Sequence, residues 1–323
     1  MSDVLEGVAV LVVFVASVVV NGLVSAGVGV PLTNVEVAAT HPVFLLPAGF
    51  TFAVWGVIYL LFLAYAVMGV VPRLASMPVF KDTRPYAAAG FVANASWLYF
   101  FNNQYFWIAF IVIVAYLWTL VRGLQAIGFT FTDVSAGCGD YAVRLSVHAA
   151  FSAATAWVSV ATMLQLEINL LEEGYFSSAD LTAAILALLG IAACARAVDA
   201  ADVAYAAVTA WALFGIISNQ GADSTWGCAS AICPTCLESD QRICSNGREA
   251  PLGWQLTCDP SNSLSSGCLI DKSNQIIGLC QFLIGAVAVS LVSGVLRGLL
   301  LTRSADAVQR GGNASAYMSM DPK

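Results

Sequence analysis

Charge is the first shortage. Lys, Arg, Asp and Glu together make up only 10% of the 323 residues, against roughly 25% in soluble globular domains. Most of this chain is not built to meet water, which excludes an ordinary soluble domain. Histidine is scarcer still: only His41 and His148 occur. They fall at opposite ends of the predicted helices, so joint ligation of haem iron or a metal is not expected. His41 reads as a solvated loop residue beside the second helix. No basic patch is present to hold nucleic acid. No Ser-His-Asp set, phosphate loop or metal-ligand cluster appears in the apolar segments, and a non-enzymatic role is expected. No Lys or Arg precedes Arg73, so neither a transit peptide nor a cleaved signal peptide is expected; the first apolar run reads as a retained helix. Alternating ten-residue barrel strands are also absent.

Long apolar runs are what the chain has in quantity. Hydrophobic residues make up 59% and mean hydropathy is +0.81. About 20 apolar residues cross the hydrocarbon core as a helix. Eight segments qualify, at about 5–28, 44–70, 86–102, 105–127, 143–170, 181–198, 203–219 and 276–301. Those starting at 86, 181 and 203 are short. The expected fold is an all-α polytopic membrane protein with about eight transmembrane helices. Basic residues then sort by side. Arg73, Lys81 and Arg84 fall in the second loop, Arg122 and Arg144 around the fourth, Arg196 in the sixth, and Arg297, Arg303, Arg310 and Lys323 at or beyond the last helix. The first, third and fifth loops carry none. Positive charge marks the cytoplasmic side of short loops. Both termini are therefore expected on the cytoplasmic side, with the first loop and the 221–275 segment on the extracellular or lumenal side.

That segment holds six of the nine cysteines: Cys228, Cys233, Cys236, Cys244, Cys258 and Cys268. An even count in a short polar stretch rich in Gly, Ser, Asn and Pro reads as a disulfide framework. Two other readings stay open. Cys233-Pro-Thr-Cys236 is half of a zinc site by spacing, and Cys228-x4-Cys233-x2-Cys236 matches a plant-type iron–sulfur spacing. Cys138, Cys194 and Cys280 read as free structural thiols.

Aromatic residues concentrate inside the apolar runs. Phe52, Trp55, Tyr59 and Phe62 recur at i, i+3, i+7 and i+10, one stripe on a helix. Such a stripe faces either neighbouring helices or a flat lipophilic ligand. Six of the eight tryptophans lie in apolar segments; interfacial anchoring accounts for some, Trp107 among them. Asn94, Trp97 and Phe101 share one helical face, and an amide in lipid must turn to protein, water or a ligand. Trp157 and Ala161 share another, beside Thr162 and Gln165. Of the acidic residues, Glu167 is the best intramembrane candidate for function, against an ordinary interface-facing carboxylate. Glu172, Glu173, Asp199 and Asp202 read as loop ends.

These motifs carry a resemblance. Pro47…Phe52-Ala-Val-Trp55-Gly-Val-Ile-Tyr59 resembles the second-helix signature of the translocator protein / tryptophan-rich sensory protein (TspO/MBR) family. Asn94-Ala-Ser-Trp97-Leu-Tyr-Phe100-Phe101 is similar to its third helix, Trp107 to the opening of its fourth, and Trp157-Val-Ser-Val-Ala161-Thr162-Met-Leu-Gln165 to its fifth. The overlap covers about residues 5–170, and the next two segments resemble those of longer bacterial relatives. Gln165 departs from the family's Asn, the aromatic–proline pair after Trp97 is missing, and no basic residue follows Tyr175 to make the cholesterol motif of animal members.

The resemblance implies a TspO-like five-helix core (1–170) plus three helices: two in 171–220 and the last at 276–302. The Cys-rich loop is 221–275 and a cytoplasmic tail follows at 303–323. It also implies binding of flat lipophiles, notably porphyrin or haem as ligand with no obligatory cofactor. The implied pocket comprises Trp55, Asn94, Trp97, Trp107, Trp157, Ala161 and Thr162. Expected partners are the lipid bilayer, a tetrapyrrole or other lipophile, and a homodimer or larger membrane complex. A structural or assembly subunit docking through the Cys-rich loop is the alternative, and a small-solute transporter a weaker one.

Overall fold

The computed structural model describes residues 2–128, 138–175, 179–221 and 275–297. Among them there is no strand. The helices are α1 (Ser2–Ser25), α2 (Asn34–Thr40), α3 (Val54–Met68), α4 (Pro72–Ala75), α5 (Pro78–Asn102), α6 (Phe106–Ile127), α7 (Cys138–Glu172), α8 (Ala179–Ala200) and α9 (Val203–Gly221), followed by α10 (Gln275–Arg297). Seven helical stretches are long and apolar enough to cross a membrane, with α3 counted from its preceding 3-10 turn at Gly49. The remaining long helix, α5, has 25 residues and the length to span, but it is less apolar and carries buried Asn94 and Asn102. The Cys-rich framework expected at Cys228, Cys233, Cys236, Cys244, Cys258 and Cys268, and the tail beyond Arg297, lie outside the described residues.

The helices start and stop for local reasons. Thr33 and Glu36 form a capping box on α2, which meets two of its orphan N–H groups. Pro78 occupies the first turn of α5, where its missing N–H costs nothing. The end of α7 turns at Gly174, φ 83°, with the Tyr175 N–H reaching back to the Leu170 carbonyl, the six-to-one closure that favours glycine.

Packing places α7 at the centre. Its most apolar window is 78% buried, whereas the other spans reach 22–44%. Helices α3, α6, α8 and α9 pack directly on it, α8 and α9 also on each other, while α1 and α5 complete the bundle by packing on α3 and α6 and on one another. A Cβ on Gly123 would collide with the Phe151 ring, so glycine sets how closely α6 and α7 approach. Leu60, Ile111, Leu188, Ile191, Phe282 and Val289 are exposed on the outside; an apolar girdle of this kind is solvated by lipid chains. Leu283 of α10 covers Gly190 of α8, and Gly294 meets the Ala197 backbone. Both residue numbers rise together, so α10 runs parallel to α8.

Several expectations change. Arg196 and Asp199 fall within α8 and not in a loop. Lys81 and Arg84 do not lie in a loop: α5 begins at Pro78 and carries both. Arg84 is buried and pairs with Glu6 at 3.1 Å, and Lys81 pairs with Asp3 at 3.0 Å, so α1 neutralises the charge. Asp202 is not a solvated loop end. It is buried and takes bonds from Arg196 (2.6 Å), the Ser152 hydroxyl (2.6 Å) and the Tyr205 N–H (3.1 Å), which makes it the N-cap of α9 and its tie to α7. His41 is not solvated either, as its place in the site shows.

Candidate functional site

Two adjoining side-chain clusters occupy the half of the bundle near the 26–48 loop. The first contains the aromatic stripe. Its helix starts later than the spacing suggests: Phe52 sits in a 3-10 turn, Gly49–Ala53, and α3 proper begins at Val54. The tighter turn still leaves Phe52 edge-on to Trp157, with centroids 5.7 Å apart. Trp55 stacks on Tyr59 at 5.5 Å and meets Trp157 edge-on at 6.4 Å. Phe62 diverges from this group and packs into the core against Phe91 and Phe151.

Asn94 of α5 reaches the same cluster. Its amide donates to the Tyr59 hydroxyl at 3.2 Å and to the Ser17 hydroxyl at 3.5 Å. Asn94, Trp157 and Thr162 are buried, whereas Phe52, Trp55, Tyr59 and Ala161 remain half-exposed. Thr162 spends its hydroxyl on the Val158 carbonyl at 2.7 Å. Within this cluster two buried polar atoms have no partner, the Asn94 Oδ1 acceptor and the Trp157 Nε1–H donor; Thr51 Oγ1, next to Phe52, is another close by. Leaving such a group unpaired in the interior costs about 1–3 kcal/mol.

The second cluster lies around Trp97. Its indole stacks on Phe101 at 5.2 Å and donates to Gln165 Oε1 at 3.2 Å. Gln165 in turn donates to Asn169 Oδ1 at 2.7 Å, and Asn169 to the Phe106 carbonyl at 3.1 Å. The Phe106 ring lies 5.0 Å from His41. Both His41 ring nitrogens face oxygen: Nδ1 the Val37 carbonyl at 2.8 Å, Nε2 the Glu172 carboxylate at 2.7 Å. His41 is buried because Glu172, far away in sequence, closes over it. Trp97 therefore belongs to a satisfied polar network, unlike Trp157. Trp107 is exposed, donates to Glu173 at 2.8 Å and meets Phe110, and the structure does not draw it into either cluster.

Glu167 does not face the interface. It is buried and accepts bonds from the Thr182 hydroxyl (2.5 Å) and the Leu45 N–H (3.3 Å). Sequence reasoning passed over Gln165–Asn169 and His41–Glu172 as units. The one available signal was the i, i+4 spacing of two amides on an otherwise apolar helix. Among the described residues no group of three or more His, Cys, Asp or Glu is placed to hold a metal ion.

Membrane-length helices around a central span, with an aromatic wall inside, define a polytopic α-helical membrane protein. The chain belongs to the TSPO-like protein family, whose match covers residues 7–237. That match runs beyond the 5–170 core and takes in α8 and α9. At family level the function is membrane binding or sensing, generally non-enzymatic. No curated protein and no solved structure matches the chain.

Proposed function

We propose that this protein binds or senses flat lipophilic ligands, tetrapyrroles foremost, at the wall formed by Phe52, Trp55, Tyr59 and Trp157. The carrying observation is the pair of unpartnered buried atoms beside half-exposed rings, Asn94 Oδ1 and Trp157 Nε1–H. A tetrapyrrole offers a broad π-face for the rings and both donors and acceptors for the two polar atoms. Trp55, Asn94, Trp157 and Ala161 form the contact set. Thr162 is buried one residue on from Ala161, and Trp97, held by Gln165, belongs to the adjoining cluster. No catalytic step is required of any of these residues. The ordering of charge along the chain supports both termini on the cytoplasmic side, with the wall's end of the bundle, beside residues 43–51, toward the opposite face.

Titration of the purified protein with protoporphyrin IX tests this reading. Tryptophan fluorescence is expected to be quenched at micromolar ligand. Trp157→Phe should weaken binding about tenfold, the scale of one hydrogen bond to a buried group, and Trp107→Phe should leave it unchanged. Equal binding by wild type and Trp157→Phe removes Trp157 from the site.

A further inference from the structure

Residues 43–47, between α2 and α3, are buried without belonging to any helix. Inside a bilayer such backbone is tolerated only where protein supplies every hydrogen bond. Over the longer stretch 44–51, α9 supplies four of them. Gln220 Nε2 donates to the Phe44 carbonyl, Asn219 Nδ2 to the Leu46 carbonyl and Trp211 Nε1 to the Thr51 carbonyl, each at 2.9 Å. The Ala48 N–H donates to the Gly215 carbonyl, also at 2.9 Å. The Leu45 N–H goes to Glu167, whose other oxygen is held by Thr182 of α8.

The spacing on α9 explains the arrangement. Trp211, Gly215 and Asn219 recur every four residues and so form one row. Gly215 is required in its middle: a Cβ there would run into the Thr51 side chain. The row lies alongside residues 44–51 much as a paired strand would, with side chains replacing the ladder. The next residue, Phe52, is the one edge-on to Trp157. Val43 and Leu46 join the same apolar core as Trp157, while Phe44 and Leu45 pack with Leu213 and Ile216 of α9 and Ile276 of α10. The loop is thus shared between the wall and the added helices.

We propose that α9 is a strap: its Trp211–Gln220 row holds the 43–51 loop closed against the aromatic wall, and release of its last turn sets how fast a ligand enters and leaves. The strap stands on the hydrogen bonds alone; only what it admits rests on the proposed ligand site.

The test uses the full chain in lipid nanodiscs and the double variant Asn219→Leu/Gln220→Met, which keeps side-chain volume and removes two bonds. Amide hydrogen exchange at Leu45 and Ala48 is expected to quicken about thirtyfold, the scale of two neutral hydrogen bonds. Association and dissociation rates of protoporphyrin IX should rise together, leaving the equilibrium affinity nearly unchanged. Unchanged exchange overturns the strap. Faster exchange with unchanged ligand rates overturns its control of access while leaving the binding reading intact. If protoporphyrin does not bind the wild type, the ligand reading fails and the exchange result alone decides the strap. Should the double variant not insert, Trp211→Phe removes one bond, keeps the ring and carries the same comparison.

Discussion

Asn94→Leu separates a ligand contact from a structural one. Asn94 is 1% exposed, so its replacement is felt entirely inside the bundle. The wild-type amide makes two donor bonds, to Tyr59 and Ser17, each contributing about 1 kcal/mol net. Against this stands the unpartnered Oδ1, which costs about 1–3 kcal/mol. Leucine is nearly isosteric, and the Tyr59 and Ser17 oxygens each lose only an accepted bond while keeping their own O–H donors. The terms offset, and the unliganded variant should match the wild type within about 1 kcal/mol. A ligand that donates to Oδ1 should lose about tenfold in affinity, roughly 1.4 kcal/mol. Thermal unfolding in detergent, run beside a protoporphyrin fluorescence titration, reads both quantities. The reasoning is refuted if stability falls by more than about 2 kcal/mol while affinity holds, because Asn94 would then be a helix tie and not a ligand contact.

Other perturbations probe the frame and the cysteine framework. Gly123→Ala should destabilise by about 1–3 kcal/mol through its collision with Phe151, seen as a lower unfolding temperature. Asp202→Ala removes the bonds from Ser152 and Arg196 and uncaps α9, with an expected loss of about 1–3 kcal/mol; Asp202→Asn, which keeps a capping oxygen, should lose less by the same unfolding assay. The six cysteines between Cys228 and Cys268, if paired, should add six hydrogens to the intact mass on reduction, with no metal found by elemental analysis. An unchanged mass would return the segment to the zinc or iron–sulfur readings.

Much of the architecture was legible because lipid leaves a coarse signal. An uncharged run such as 105–127 has no soluble alternative, and the helix found is Phe106–Ile127. What stayed hidden depended on partners distant in sequence. Lys81 and Arg84 look like loop residues until Asp3 and Glu6 are seen beside them. His41 and Asp202 look solvated until Glu172 and Arg196 close over them. In the site, motif order brought Trp55, Asn94 and Trp157 together. It could not separate Trp157, whose N–H is free of partners, from Trp97, whose N–H is held by Gln165. That distinction arises from which side chain stands opposite across the bundle, and helical spacing carries no record of it.

The short path from Arg196 to Asp202 bears on how the bundle assembles. A carboxylate buried without a partner is expensive, and this one is fully enclosed. Its cation sits six residues earlier, at the end of the preceding helix. The α8–α9 hairpin therefore carries its own counter-ion. Ser152 and His148 of α7 meet an acid already paired within that hairpin, so docking of the two helices on α7 brings no unmatched charge with it.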